Sequence, residues 1–266
     1  MTKILVAGDW HGTTRWALAI IEIAKRENCG AIVQCGDFGI WTHEFNGHEY
    51  LDRLNSALTE ANMHLIFVRG NHENKDHLDI LAKINPRSKN GHVYLRSNIL
   101  YSEDGTVWTW DHKKFMSVGG AVSIDKEWRL ARERQAGVTR SLWWPGEQLT
   151  DADVFVIEAE IAQRRRAGKQ EVDYLFTHDC SNMTPWKTRM KPDFESQMHR
   201  QRIDRVLSIV RPKTHFHGHM HEVYDWEHQV TDEHVVQTYG LACDGMVGNY
   251  GVLNTETDEF VFDFAL

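Results

Sequence analysis

The chain has 266 residues, of which 41% are hydrophobic and 26% charged, an ordinary globular composition that excludes a disordered, collagen-like or membrane-spanning chain. Its longest apolar-rich run, Ala17 to Ala24, is interrupted by Glu22 and falls far short of the roughly 18–20 residues of a membrane helix. The net charge of −8 argues against a protein that grips extended nucleic acid by its backbone, a task that favours basic surfaces.

Taken in chain order, Lys3 to Ala7 reads as a buried strand. Thr13 to Asn28 follows as a helix, with Trp16, Ile20, Ile21 and Ala24 on one face. Ala31 to Gln34 is a second strand. Tyr50 to Asn62 is a helix carrying Leu51, Leu54 and Leu58 at helical spacing. His64 to Val68 is a third strand, followed by a helix over Asn74 to Ile84. The middle of the chain changes character. Val93 to Leu95, Ile99 to Ser102, Thr106 to Trp110 and Lys114 to Val118 read as antiparallel strands joined by turns such as Glu103-Asp104-Gly105. Thr150, with Asp153 three residues on, caps a helix whose buried stripe is Val154, Ile157 and Ile161 and whose stop is Gly168. Val172 to Thr177 is a strand. Ile203, Val206, Leu207 and Val210 mark a helix ended before Pro212. Thr214 to His217 is a short strand, and Val235 to Phe264 is strand-rich, with a hairpin around Thr255 to Glu259. The alternation of strands and helices predicts largely parallel βαβ units. No linker divides the chain, so a single domain over 1–266 is expected, with an inserted loop at 181–196.

Sixteen His and ten Trp are high counts for this length. His is the commonest metal ligand, which makes its placement worth following. The four cysteines (Cys29, Cys35, Cys180, Cys243) form no CxxC pair. They suggest a reducing compartment, and the start MTKILVAGDW has too short an apolar stretch for a secretory signal, so a cytoplasmic location is expected.

The metal-competent side chains fall at strand ends. Asp9 and His11 follow the first strand, Asp37 the second, and Asn71, His72 and Glu73 the third. His178 follows the strand ending at Thr177, and His219 and His221 follow the strand at 214–217. Ligands of open α/β sheets gather beyond the carboxyl ends of strands, so one site built from all five is the economical reading. Carboxylates bridge cations and imidazoles suit Mn, Fe, Zn, Ni or Co. Two ions about 3.5–4 Å apart suit displacement at phosphorus. Gly36, Gly70 and Gly218 each precede a ligand, where a tight backbone path is needed.

The ordered pattern DxH, GD, GNHE, H, GHxH, from Asp9 to His221, resembles that of the calcineurin-like metallophosphoesterases. The resemblance implies a four-layer αββα sandwich of two mixed β-sheets flanked by helices, and two divalent or trivalent metal ions. One ion would be held by Asp9, His11, Asp37 and His221, the other by Asp37, Asn71, His178 and His219, with Asp37 bridging. A hydroxide shared by the ions would be the nucleophile, and His72 would protonate the leaving oxygen or position the phosphate. The pattern departs from the phosphoprotein phosphatases, because Ile40 and Trp41 stand where that group has Asp and Arg. What orients His72 is therefore not given by the motif.

The segment Gly119 to Arg129 offers Ser123, Asp125 and Arg129 as substrate contacts, or else a glycine turn before an exposed helix start. Trp41, Trp143, Trp144 and Trp186 are candidates for stacking on a base, set against ordinary core or interface packing. His215 and His217 read as sheet residues. Residues 187–213 carry eight Lys/Arg against three acids, either a solvated helix face or a basic rim that attracts anions. The expected substrate is a small phosphodiester, a 2′,3′-cyclic nucleotide before a 3′,5′-cyclic one. The alternatives are a phosphomonoesterase or protein phosphatase, a nuclease, and an inactive metal-bound adaptor.

Overall fold

The computed structural model describes residues 2–41, 47–135, 137, 141–169, 171–185 and 193–263. In chain order its elements are β1 (Lys3–Ala7), α1 (Thr14–Arg26), β2 (Ala31–Gln34), α2 (Gly47–Glu60), β3 (His64–Val68), α3 (Lys75–Ile84), β4 (Val93–Tyr94), β5 (Ile99–Ser102), β6 (Val107–Trp110), β7 (Lys113–Val118), α4 (Lys126–Glu133), α5 (Asp151–Arg166), β8 (Tyr174–Thr177), α6 (Phe194–Val210), β9 (Thr214–His217), β10 (Tyr224–Thr231), β11 (His234–Gly240), β12 (Tyr250–Asn254) and β13 (Glu259–Phe262).

The strands make two mixed sheets, one of order β13-β12-β1-β2-β3-β5-β4 and one of order β10-β11-β9-β8-β7-β6. Their centres are parallel and their edges antiparallel. Alternation along each strand sorts the side chains into layers. On β1, Ile4 and Val6 face the second sheet, whereas Leu5 and Ala7 face α1 and α2. On β8, Tyr174 and Phe176 fill the space between sheets, and Leu175 packs with Val154, Ile157 and Ile161 of α5 and Ile203, Val206 and Leu207 of α6. Large rings occupy the middle layer: Phe176 stacks on Phe216 with centroids 5.3 Å apart, and Trp108 on Phe115 at 5.5 Å. The result is the expected helix–sheet–sheet–helix sandwich.

Thr150 caps α5 as the spacing predicts. Its hydroxyl accepts from the Asp153 N–H at 3.2 Å, and Asp153 accepts from the Thr150 N–H at 2.8 Å. The turn Glu103-Asp104-Gly105 does not close a hairpin, contrary to expectation. β5 lies parallel to β3 in the first sheet and β6 antiparallel to β7 in the second, so this turn carries the chain from one sheet to the other. The reason is pairing: β3 and β4 take both edges of β5. The edge strand β10 was not foreseen, and α4 is the exposed helix start that stood as one of two readings for Gly119 to Arg129. The expected loop at 181–196 falls partly outside the described residues, and its last three residues already belong to α6.

Candidate metal centre

β1, β2 and β3 are neighbours in one sheet, β8 and β9 in the other. Their carboxyl ends deliver Asp9 and His11, Asp37, Asn71 to Glu73, His178, and His219 and His221 to one place. Three sets of potential ligand atoms each lie within 4.8 Å of one another: Asp9, His11 and His221; His11, Asp37 and His72; Asp9, Asp37 and His178. Asp37 is central. Its carboxylate lies 3.5 Å from His11 Nε2, 3.6 Å from His72 Nε2 and 3.4 Å from His178 Nε2. Asp9 lies 2.9 Å from His221 Nε2 and accepts from the His219 N–H at 3.0 Å. Asn71 Oδ1 is 2.9 Å from His178 Nε2. His219 joins through its ring, 5.0 Å from that of His178.

The local backbone explains the glycines and reveals strain. A Cβ at Gly70 would sit 2.0 Å from Asp37 Oδ1, at Gly218 2.1 Å from Asp9 Oδ1, and at Gly36 2.4 Å from His178 Nδ1. Each glycine therefore makes room for a ligand from a different strand. His11, Asp37, His219 and His221 adopt left-handed backbone, with φ of 45°, 52°, 62° and 53°. Such conformations cost of order 1–3 kcal/mol each and cluster at functional sites, where surrounding structure holds them.

The donor chemistry fits cations. Asp9 and Asp37 are buried, and their ion pairs among the described residues are all with imidazoles. Buried carboxylates without Lys or Arg call for another positive charge. Protons supply it here. Burial alone would lower the His11 pKa, but Asp37, Asp9 and Asp244 outweigh it and raise it to about 10. Against the same burial, Asp37 and Asp9 raise His178 to about 9, and Asp9 and Cys243 raise His221 to about 10. His219 is pushed down to about 4 by burial, which outweighs the attraction of Asp179. Metal ions displace protons from such sites.

The surrounding residues include several that sequence reasoning missed. Asp244, in the loop between β11 and β12, accepts from His11 Nδ1 at 2.8 Å and from the Thr13 hydroxyl at 2.7 Å. That contact leaves His11 Nε2 turned toward Asp37. Asn249 in the same loop donates to the Asp9 carbonyl at 3.1 Å and accepts from Trp16 Nε1 at 2.7 Å. Neither carries a local motif; they lie more than 230 residues from their partners. Glu73, the last letter of GNHE, accepts from the N–H groups of Asp37, Gly39 and Gly70 at 3.1, 2.9 and 2.6 Å. It fastens two ligand loops together, and burial, with Asp37 nearby, pushes it up to about 7.

His72 has its orienting group in Arg129. The guanidinium Nη2 lies 2.6 Å from His72 Nε2 and Nη1 3.3 Å from Nδ1. Arg129 is itself held by Asp125 at 2.7 Å and by the Leu142 carbonyl at 3.2 Å. Burial lowers the His72 pKa, and Arg129 adds to this against the attraction of Asp37. Trp41 Nε1 donates to the His72 carbonyl at 3.2 Å. Ile40 is buried in the core between α1 and α2.

The remaining expectations divide. Trp41, Asp125 and Arg129 line a cavity beside His72. Ser123 does not: it is buried, donates to Glu147 and accepts from Asn71 Nδ2 at 2.9 Å, which places it behind the site as a support for Asn71. Trp186 lies outside the described residues. The basic segment is not a free rim in its helical part. Arg202 and Arg205 pair with Asp151 and Glu158 of α5, and Arg200 is buried against Asp179.

A family model described as calcineurin-like phosphoesterase matches residues 2–223. No curated protein matches the sequence. Two solved structures are similar in fold. The protein TT1561 of Thermus thermophilus has a TM-score of 0.55 at 9% identity, covering 99% of this chain and 98% of that one. A dimetal phosphatase from Danio rerio has a TM-score of 0.55 at 12% identity, covering 94% and 91%. No helix among the described residues is long and apolar enough to cross a membrane.

Proposed function

This chain belongs to the calcineurin-like phosphoesterase family, hydrolases of phosphoesters that depend on two metal ions, and from that premise we propose that it is a phosphodiesterase of small substrates, with 2′,3′-cyclic nucleotides favoured. The observation that carries the reading is the pair of buried carboxylates, Asp9 and Asp37, ringed by His11, His72, His178 and His221 with no Lys or Arg paired to them among the described residues.

In this reading Asp9, His11, Asp37 and His221 would hold one ion, and Asp37, Asn71, His178 and His219 the other. Ions bound there would supply Lewis acidity and lower the pKa of water. Asp244 keeps His11 in the tautomer that presents Nε2. Glu73 holds the Asp37 loop against the Gly70 loop, so that Asp37 stays between the two ligand sets. Arg129 presents its Nη groups at His72, where they neutralise charge on a phosphoryl oxygen. His72 hydrogen-bonds the leaving oxygen from the same side. The diester preference follows from Ile40 and Trp41, which replace the Asp and Arg of the phosphoprotein phosphatases and put an indole beside His72. The reduced cysteines agree with a cytoplasmic setting.

The test is a comparison on purified protein supplied with Mn²⁺. Bis(p-nitrophenyl) phosphate should be cleaved faster than p-nitrophenyl phosphate, and 2′,3′-cyclic AMP faster than 3′,5′-cyclic AMP. Strong preference for the monoester with no action on cyclic nucleotides overturns the diester reading. An Asp37→Asn protein as active as the wild type overturns the metal mechanism.

A further inference from the structure

α4 follows the Gly119-Gly120 turn and brings Trp128, Arg129 and Arg132 to one wall of a cavity of about 440 Å³. Trp41, Trp144 and His72, the last in contact with Arg129, complete the lining. His72 and Arg129 therefore belong both to the metal centre and to this cavity, so the two are continuous. A phosphate group needs no such volume; pockets of 300–1,000 Å³ enclose organic ligands.

The lining defines the occupant. Trp41 is fixed by its bond to the His72 carbonyl and by contact with Gly12, where a Cβ would come within 2.5 Å of the indole. Trp128 is 58% exposed, an unusual position for the largest apolar side chain. The Arg132 guanidinium lies over its ring at 5.3 Å and extends the flat surface. Asp125 is engaged by Arg129 at 2.7 Å, which leaves Arg132 to set the charge of the rim. Three indoles beside a cation fit a planar, hydrogen-bonding ring that is part of an anion.

We infer that this cavity is a nucleobase subsite, in which the base of a nucleotide ester stacks on the indoles while its phosphorus lies at the metal centre. The inference rests on the phosphoesterase reading for the position of phosphorus, but it can be tested apart from turnover. Calorimetry on the Mn²⁺-loaded protein compares AMP with ribose 5-phosphate, which has the same phosphate and sugar without the base. AMP should bind about tenfold or more tightly, in line with base–indole stacking. In Trp128→Ala the ratio should fall towards one, and Trp128→Phe should restore most of it. Because Trp128 is largely exposed, its replacement does not threaten the core; Trp144→Ala supplies an independent second variant with the same expected loss. Equal binding of AMP and ribose 5-phosphate by the wild type overturns the subsite, as does an unchanged ratio in both alanine variants. A base preference that depends on Trp128, in a protein that cleaves no phosphoester, would support the subsite and refute the hydrolase reading.

Discussion

Asp244→Ala tests whether the metal centre extends beyond the motif residues. The variant removes the acceptor 2.8 Å from His11 Nδ1 and frees the Thr13 hydroxyl. Partners of this kind are worth 10–100-fold in metal affinity. Both side chains are about a quarter exposed, 24% for His11 and 22% for Asp244, so water replaces part of the lost interaction. The expected weakening is therefore near the low end, about tenfold or ~1.4 kcal/mol. It should be confined to the ion that Asp9, His11, Asp37 and His221 are proposed to hold. The ion proposed for Asp37, Asn71, His178 and His219 should keep its affinity, because Asp244 bonds none of these side chains among the described contacts. Titration of chelator-stripped protein with Mn²⁺ in a calorimeter should resolve the two sites and show one displaced. Asp244→Asn, which keeps an acceptor and loses the charge, should fall between the wild type and the alanine variant. Wild-type affinity at both sites in Asp244→Ala, or equal loss at both, would refute the argument.

Four further outcomes follow from the geometry. Mn²⁺ binding at pH 7.5 should release about three protons, from His11, His178 and His221, whose pKa values are raised to about 10, 9 and 10; calorimetry in buffers of differing ionisation enthalpy counts them, and a count of zero would contradict the protonated state. The same shifts make the stripped protein more stable below the unfolded-state value of 6.5 and progressively less so as pH rises through 9 to 10, so its melting temperature should fall from pH 7 to 10, and saturating Mn²⁺ should flatten that fall. Gly218→Ala places a Cβ 2.1 Å from Asp9 Oδ1 and should cost about 1–3 kcal/mol of stability together with metal binding; a fully loaded, equally stable variant would show that the loop yields freely. Thr150→Ala, away from the metal centre, breaks the capping box of α5 and should lower the unfolding free energy in urea by about 1 kcal/mol, with metal stoichiometry kept.

Some features are written in short-range chemistry and others are not. The strands β1, β2, β3, β5 and β9 and the α5 cap were legible because period, branching and capping are local properties. So were the candidate ligand positions, since each lies within a few residues of a strand end and carries its own motif. The glycines before Asp37, Asn71 and His219 were legible as glycines, although their reason, an oxygen or ring from another strand, was not. Arg129 appeared among the candidate contacts, but its role beside His72 depends on where α4 lies.

Local patterning thus marked the strand–helix alternation and the metal-competent side chains at strand ends, and the family resemblance picked seven of them as candidate ligands. Tertiary structure alone decided what stands around them: Asp244 and Asn249 against the first ligand loop, Ser123 behind Asn71 rather than in the cavity, and the Glu103 turn as a crossing between sheets. A hydrogen bond between residues 233 apart leaves no periodicity and no spacing to read, because the antiparallel pairing of β12 with β1, and not the chain between, brings those atoms within reach.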